Sequence, residues 1–379
     1  MYKKFLAFST LVSTIIGVGL FGLPYVTARI GFIPMLFYFL VLGTLVTLIH
    51  LMYGEIALRT AGNHRLPGYS RIYLNKGAEN ISYITTIVGL TGALLAYIIV
   101  GGEFLANLMI PLFGGSSLFW STIFFVLGAG LVYLGSGPVN KAAFFSLGLF
   151  FVILVILFFK TLPYINLEYF STIRLSLKNI ILPYGVILFS LDGMAVIPEI
   201  KEILKGREKI MKKLIIIGSI VPIITYLIFI FIVFGITGLR TTEEGLSGLN
   251  LALGNGIVYL GFIFGVATTF DSFLTLGVTL KKGFNYDRGL PAWLSWILAC
   301  FPSFILFLLG MKDFIGIIGF IGAVGLGINV ITIVFIYLKA KKKGQRVPAY
   351  SLRIPEWLIF LLTILFLVGV GTEIINLSL

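Results

Sequence analysis

Apolar runs of about twenty residues, the length that carries an α-helix across a bilayer, recur from one end of this 379-residue chain to the other. In hydrocarbon every backbone N–H and C=O must be satisfied within the protein, so such runs become helices. A soluble domain has no use for that much apolar surface: 59% of the residues are hydrophobic and only 11% are charged. The reading is an all-α integral membrane protein, one transmembrane domain over residues 1–379 with no soluble domain attached. About eleven spans fit, near 5–29, 33–58, 81–110, 117–135, 141–160, 180–200, 214–237, 255–280, 291–309, 314–338 and 356–376. Met1-Tyr2-Lys3-Lys4 followed by apolar sequence looks like a secretory leader. That run is too long and lacks a small-residue cleavage site, so it reads as span 1.

A net charge of +13 would point to nucleic acid in a soluble protein. Here the basic residues fall in short connections between spans, where they report orientation. With the N-terminus inside, 22 of the 28 Lys and Arg residues fall in inner segments. Arg29, Lys160, Arg174, Lys178, Arg240 and Lys312 fall outside. The bias fits a multi-pass protein of the cell (cytoplasmic) membrane with membrane lipid as its surroundings, a cytoplasmic N-terminus and, with an odd span count, a C-terminus outside. Nucleic acid is not expected as a partner. One cysteine, Cys300, sits inside an apolar run, which excludes a disulfide framework and a Cys-based metal site.

Two spans carry residues that a plain helix would avoid. Gly17-Val18-Gly19-Leu20-Phe21-Gly22-Leu23-Pro24 lies in the middle of span 1. Glycine costs a helix about 1 kcal/mol against alanine and proline about 3 kcal/mol. Unwound backbone at membrane depth is tolerated only where protein or a polar cavity satisfies it, and there it offers carbonyls to cations and amides to anions. The alternative is a glycine stripe for close helix packing. Span 6 carries Ser190-Leu191-Asp192-Gly193 with Pro198 five residues after the glycine. Asp192 at mid-membrane costs roughly 3 kcal/mol on insertion scales. The alternative there is a buried carboxyl bonded to neighbouring backbone. Spans 1 and 6 are five apart, an odd offset that reverses direction across the membrane. A five-span unit repeated once would therefore be inverted, and paired Gly/Pro interruptions in two halves point to a transporter site at their interface.

Span 8 places Thr268, Asp271, Ser272, Thr275 and Thr279 on one helical face. A carboxylate among hydroxyls suits a hard cation or a proton; interhelical hydrogen bonding accounts for the hydroxyls alone. Glu103 reads as interfacial, and Glu55 and Glu199 as partners for nearby basic loops. Lys141, at the inner start of span 5, reads as a snorkelling lysine or one reaching toward the ion region. Tyr97 reads as a substrate contact or as aromatic packing. Gly17-x-Gly19-x-x-Gly22 formally matches a dinucleotide fingerprint, but no strand precedes it and the first acidic residue is Glu55. No metalloprotease, P-loop, nucleophile-elbow or zinc spacing occurs, so an enzyme is the least favoured class and no cofactor is expected.

Ile16-Gly17-Val18-Gly19-Leu20-Phe21-Gly22-Leu23-Pro24 resembles the first-helix signature of the amino acid/polyamine/organocation superfamily. Phe189-Ser190-Leu191-Asp192-Gly193 resembles its sixth-helix motif. His64-Arg65-Leu66-Pro67-Gly68-Tyr69 and Gly92-Ala93-Leu94-Leu95-Ala96-Tyr97 are similar to the amino acid/auxin permease branch, including bacterial tryptophan–tyrosine permeases. The resemblance implies a LeuT-type fold of 5+5 inverted repeats (1–160 and 180–338, with an extra helix at 356–376) in which spans 1 and 6 are broken. It implies secondary active transport of an amino acid coupled to H⁺ or Na⁺ by alternating access, with spans 1 and 6 rocking against spans 3, 4, 8 and 9. Backbone at Ile15, Gly17, Val18 and Gly19 would hold the substrate carboxylate. Phe189 and Ser190 with Asp192 would hold the ammonium, and Tyr97 would reach the substrate. Ser13, Ile16, Thr268, Asp271 and Ser272 would form the ion-coupling site, where sodium would sit. Asp271 departs from the family pattern, which has a hydroxyl residue there, and makes proton coupling credible; eleven spans depart from the commoner twelve. The abundant phenylalanine and small residues favour a neutral or aromatic amino acid. An uncoupled facilitator or exchanger of amino acids or polyamines, and then an ion channel, are the alternatives.

Overall fold

The computed structural model describes residues 2–253 and 256–378. The long apolar runs all become helices: α1 (Tyr2–Ile15), α2 (Gly19–Ile30), α3 (Phe32–Arg59), α4 (Leu66–Tyr73), α5 (Lys76–Phe113), α6 (Ser117–Leu134), α7 (Ser136–Thr161), α8 (Leu177–Leu191), α9 (Ile197–Ile203), α10 (Met211–Thr237), α11 (Leu246–Leu253), α12 (Ile257–Lys282), α13 (Ala292–Leu308), α14 (Phe314–Phe320), α15 (Gly327–Lys343) and α16 (Glu356–Ser378). Among the described residues, nine helical segments are long and apolar enough to cross a membrane, and α1 with α2 adds a pair bent by 46°. At 17 residues α13 is shorter but equally apolar. An isolated bridge between Gly31 and Ile173 is the β-structure among the described residues.

Polar residues between the runs cap the helices. The side chains of Asn75, Ser116 and Ser176 accept from the backbone N–H of Ala78, Phe119 and Asn179 and so satisfy orphan donors at the starts of α5, α6 and α8. The expected polar loop from Arg59 to Glu79 contains α4, which starts with Pro67 in its first turn. The third run continues in both directions to Lys76 and Phe113. The expected start of span 8 at residue 255 lies outside the described residues, as does the side chain of Lys141.

The proline readings need correction. Pro24 sits inside α2, and the helix runs through it; only residues 16–18 are unwound. Pro24 lies one turn inside the helix, so its missing N–H costs α2 just the bond to the Leu20 carbonyl. Pro198 falls in the first turn of α9, where an N–H has no intrahelical partner anyway. The second interruption lies ahead of it, at Asp192-Gly193 and a turn of 3-10 helix at Met194–Val196.

At the centre α12 packs against α5, α6 and α7, α1 lies along α10, and α2 lies along α8. Large apolar side chains such as Phe37, Leu40, Val126, Phe159 and Phe360 face outward and are more than half exposed. A belt of that kind is stable against lipid and a liability in water. The basic connections gather at one end. Lys201 Nζ donates to the carbonyls of Thr60 (3.1 Å) and Gly62 (2.6 Å). The Arg59 carbonyl accepts from the amides of Gln345 and Arg346. Buried Glu55 binds Arg59 (2.8 Å), the Ser351 hydroxyl (3.1 Å) and the Leu352 amide (2.6 Å). Glu55 therefore does pair with a basic residue, and it also anchors the 351–352 loop.

Candidate functional site

The two interruptions meet. The helix stops at Ile15 because the Gly17 N–H turns back to the Ile15 carbonyl (2.8 Å) rather than reaching Ser13. It resumes at Gly19. A Cβ on Gly19 would lie 2.8 Å from Ser190 Cα and 2.4 Å from Ser190 Oγ, so the first interruption is pressed against the second. A Cβ on Gly17 would lie 2.4 Å from the Tyr97 hydroxyl and 3.5 Å from Ser272 Oγ. These two glycines are what the close approach requires: any side chain would push the walls apart.

A cavity of about 720 Å³ opens from this meeting point toward the end that carries the basic loops. Its floor includes Ile15, Gly17, Gly19, Tyr97, Phe189, Ser190 and Asp192. Its mouth includes Arg65, Glu199 and Lys282. Arg65 binds Glu199 across that mouth at 2.8 Å, joining the connection after α3 to α9. On the other side of the floor the path is closed by phenyl rings. Phe21 packs edge-on against Phe104, Phe229 and Phe264 at centroid distances of 4.8, 5.6 and 6.0 Å. Phe264 stacks on Phe150 (4.4 Å) and Phe229 (6.2 Å), and Phe104 touches Phe262 (5.9 Å). Beyond this plug lies the loop after α10. There burial, with Asp313 and Glu244 adding to it, raises the Glu243 carboxyl above its usual range, while Arg29 opposes the shift.

The electrostatics of the floor come from helix ends. The N-terminus of α2 at Gly19 presents a positive dipole end that suits a carboxylate. The C-terminus of α8 at Phe189 and Ser190 presents a negative end that suits an ammonium. Asp192 reinforces that end, although one of its oxygens accepts the Met194 N–H (2.9 Å) and so caps the turn that follows. The bland expectation for Asp192 therefore holds for one oxygen, while the residue also lines the cavity.

The residues expected at the site do not all stand together. Among the substrate set, Val18 is fully buried and does not line the cavity; the others do. Among the ion set, Ser13 lines the cavity with its hydroxyl turned to the Thr10 carbonyl (3.4 Å). Ile16, Thr268, Asp271 and Ser272 are buried and do not line it. Thr268 donates to the Phe264 carbonyl of its own helix (2.8 Å). Ser272 stands beside Tyr97 and Gly17, and Asp271 is close enough to influence Tyr97. Apart from Ser13, these residues are packed behind the cavity wall rather than open to it.

Two residues outside the expected set carry much of the geometry. The hydroxyl of buried Tyr226, on α10, hydrogen-bonds the Ile15 carbonyl and lies 2.7 Å from the Ser190 carbonyl. One phenol thus spans both interruptions. His50, also fully buried, hydrogen-bonds Ser219 and the Gly193 amide. An ionisable side chain in the middle of a span is a signal that sequence alone supplies. Tyr226 offers none, being one of 17 tyrosines.

A family model described as the tryptophan/tyrosine permease family matches residues 1–375. The chain is 26% identical over 304 residues to tyrosine-specific transport system 1 of Haemophilus influenzae, covering 73% of each protein. It is 24% identical over 241 residues to glutamine transporter 2 of Aliivibrio fischeri, covering 62% of this chain and 61% of that one. Its fold is similar to the crystal structure of MhsT in complex with L-phenylalanine, with a TM-score of 0.73, 15% identity and 98% of both chains covered.

Proposed function

The chain belongs to the tryptophan/tyrosine permease family of membrane amino acid transporters, and on that premise we propose that it is a secondary active transporter of neutral or aromatic amino acids, driven by an ion gradient. The observation that carries this reading is the meeting of two interrupted helices at the floor of a cavity open at one end only. A zwitterionic amino acid needs an anion site and a cation site a few ångströms apart, and the start of α2 beside the end of α8 offers that pair. The α-carboxylate would lie at the backbone of Gly17 and Gly19. The ammonium would lie at the carbonyls of Phe189 and Ser190 with the Asp192 carboxylate, and Tyr97 would close the wall between them. At about 720 Å³ the cavity falls within the usual range of small-molecule sites, about 300–1,000 Å³.

The reading includes a LeuT-type architecture of eleven spans. α1 with α2, and α8 with α9, form the broken spans 1 and 6 of two inverted five-span repeats, and α16 is the extra span. The basic end faces the cytoplasm, the N-terminus lies inside and the C-terminus outside. The cavity is then open inward, and the phenyl plug around Phe21 seals the outer path. Alternating access would close α1 and α9 over the cavity and part the plug. Sodium would be held by Ser13, Ile16, Thr268, Asp271 and Ser272; the Asp271 carboxylate, standing where the family pattern has a hydroxyl, favours a proton as the coupling ion.

The test is uptake into proteoliposomes holding purified protein, with pH and Na⁺ gradients imposed separately. A symporter accumulates substrate only under a gradient and also shows counterflow without one. Equilibration that never exceeds the outside concentration, under either gradient, would leave an uncoupled exchanger or facilitator.

A further inference from the structure

The ring of His50 joins three elements at the second interruption: its own helix α3, α10, and the turn between α8 and α9. Its Nε2 lies 3.1 Å from the backbone nitrogen of Gly193, and that N–H donates to the ring. Nε2 therefore presents a lone pair. Its Nδ1 lies 3.2 Å from Ser219 Oγ. With Nε2 bare, the ring hydrogen is on Nδ1 and is donated to Ser219. The contacts thus set both tautomer and charge, and the imidazole is neutral in this conformation. A proton on Nε2 would oppose two N–H groups across 3.1 Å.

Among the described residues, the charged and phenolic groups of the elements around the ring are, with one exception, engaged elsewhere. On α3 itself Glu55 is engaged by Arg59, Ser351 and Leu352. On α9 Glu199 is engaged by Arg65, and Lys201 by the Thr60 and Gly62 carbonyls. On α10 the Tyr226 hydroxyl is directed at Ile15 and Ser190. On α15 Tyr337 and Lys341 both donate to the Leu352 carbonyl. The exception is Asp192, the residue before Gly193, which lines the cavity and spends one oxygen on Met194. Asp192 and Met194 flank Gly193 and both line the cavity, so water comes within one residue of the ring's partner.

We propose that His50 is a proton-binding site whose occupancy is tied to the position of the inner half of span 6. It carries the proton while the Gly193 N–H is withdrawn and releases it when that N–H closes on Nε2, the arrangement seen here. The inference rests on the gradient-driven transport reading and names the group that does the coupling. When Gly193 moves away, the carboxylate beside it becomes the counter-ion that a buried imidazolium needs. On the return movement the Nε2–H bond breaks, the proton passes to water in the inward cavity, and the freed lone pair accepts from Gly193. An inward-open transporter that has discharged its proton would have this geometry.

His50→Gln tests the proposal, because the amide keeps an acceptor for Gly193 and a donor for Ser219 but does not titrate. Proteoliposomes are given radiolabelled L-tyrosine, L-tryptophan and L-glutamine under an inward pH gradient of one unit, which sustains about tenfold accumulation for one proton. The expected result is that His50→Gln loses this accumulation while tracer exchange at equal pH continues without pH dependence. A variant that still accumulates under the pH gradient overturns the proposal and leaves the transport reading standing. Wild-type accumulation driven by Na⁺ alone, indifferent to pH, does the same. Wild-type protein that exchanges none of the three amino acids sinks the transport reading, and this proposal with it. Should His50→Gln fail to fold, ring ¹⁵N spectra of His64→Gln protein report on His50 alone, since the chain has two histidines. Protonated Nδ1 with bare Nε2 at pH 7.5 is expected; protonated Nε2 there overturns the proposal.

Discussion

A methyl group decides the matter at Gly17 and Gly19, and the two positions differ in what that methyl would strike. At Gly19 the obstacle is Ser190 Cα at 2.8 Å, a backbone atom that no rotamer moves. At Gly17 it is the Tyr97 hydroxyl at 2.4 Å, the tip of a side chain. Overpacking of this kind costs about 1–3 kcal/mol. Gly19→Ala is expected to lower the thermal midpoint in detergent and abolish uptake, with no single partner change restoring either. Gly17→Ala is expected to do the same, and Tyr97→Phe in the same chain to recover at least half of the midpoint loss. Thermal unfolding of wild type, the two single variants, the Gly17→Ala/Tyr97→Phe double variant and Gly19→Ala/Ser190→Ala checks both; full recovery in the last would contradict the backbone contact. The need for glycine was legible in the sequence as a cost that something had to justify. That Gly19 both presses on Ser190 and frames the cavity was not, because the face a glycine presents depends on which helix arrives beside it. Tyr226 is the stronger instance: nothing in its own stretch distinguishes it, and its role exists only once α10 lies against both interruptions.

At the scale of elements the molecule sets two kinds of contact against each other across the cavity floor. One is the phenyl plug; the other is the clasp of Arg65 on Glu199. Phe264, like Phe21, touches three rings of the plug: Phe21, Phe150 and Phe229. Replacing a buried phenylalanine by alanine removes about 3–5 kcal/mol of packing. Phe264→Ala is therefore expected to favour the outward-open form. A cysteine placed at Thr268, one turn along α12, should then react with a membrane-impermeant thiol reagent added outside about tenfold faster or more, a change of about 1.4 kcal/mol. Native Cys300 is fully buried and does not compete. An unchanged labelling rate would show that the plug is not the outer barrier. The helices themselves were legible, because long apolar runs have one outcome in lipid. The lengths of the interruptions were not. Proline reads as a breaker, yet Pro24 is carried inside α2 and Pro198 starts α9 rather than ending α8; the chain unwinds at glycines ahead of each.

For the whole molecule, the sorting of basic residues along the sequence foreshadowed a spatial fact: the loops that carry them contact one another and surround the mouth of the cavity. A topology reporter active only outside, fused after residue 379, is expected to be active, and the same reporter placed in the 201–213 segment to be silent. The reverse pattern would invert the orientation and turn the open cavity outward. Composition fixed the class of protein, since no other solvent accommodates such a surface. It left open how the expected ion ligands would stand; Thr268 and Ser13 donate their hydroxyl hydrogens to carbonyls of their own helices.

The three ion pairs found among the described residues, Arg59–Glu55, Arg65–Glu199 and Arg71–Glu79, all lie on the basic end, and the opposite barrier is built of phenyl rings. The two doors therefore answer to different weather. Added salt screens the first, while cooling loosens the second by weakening the hydrophobic effect.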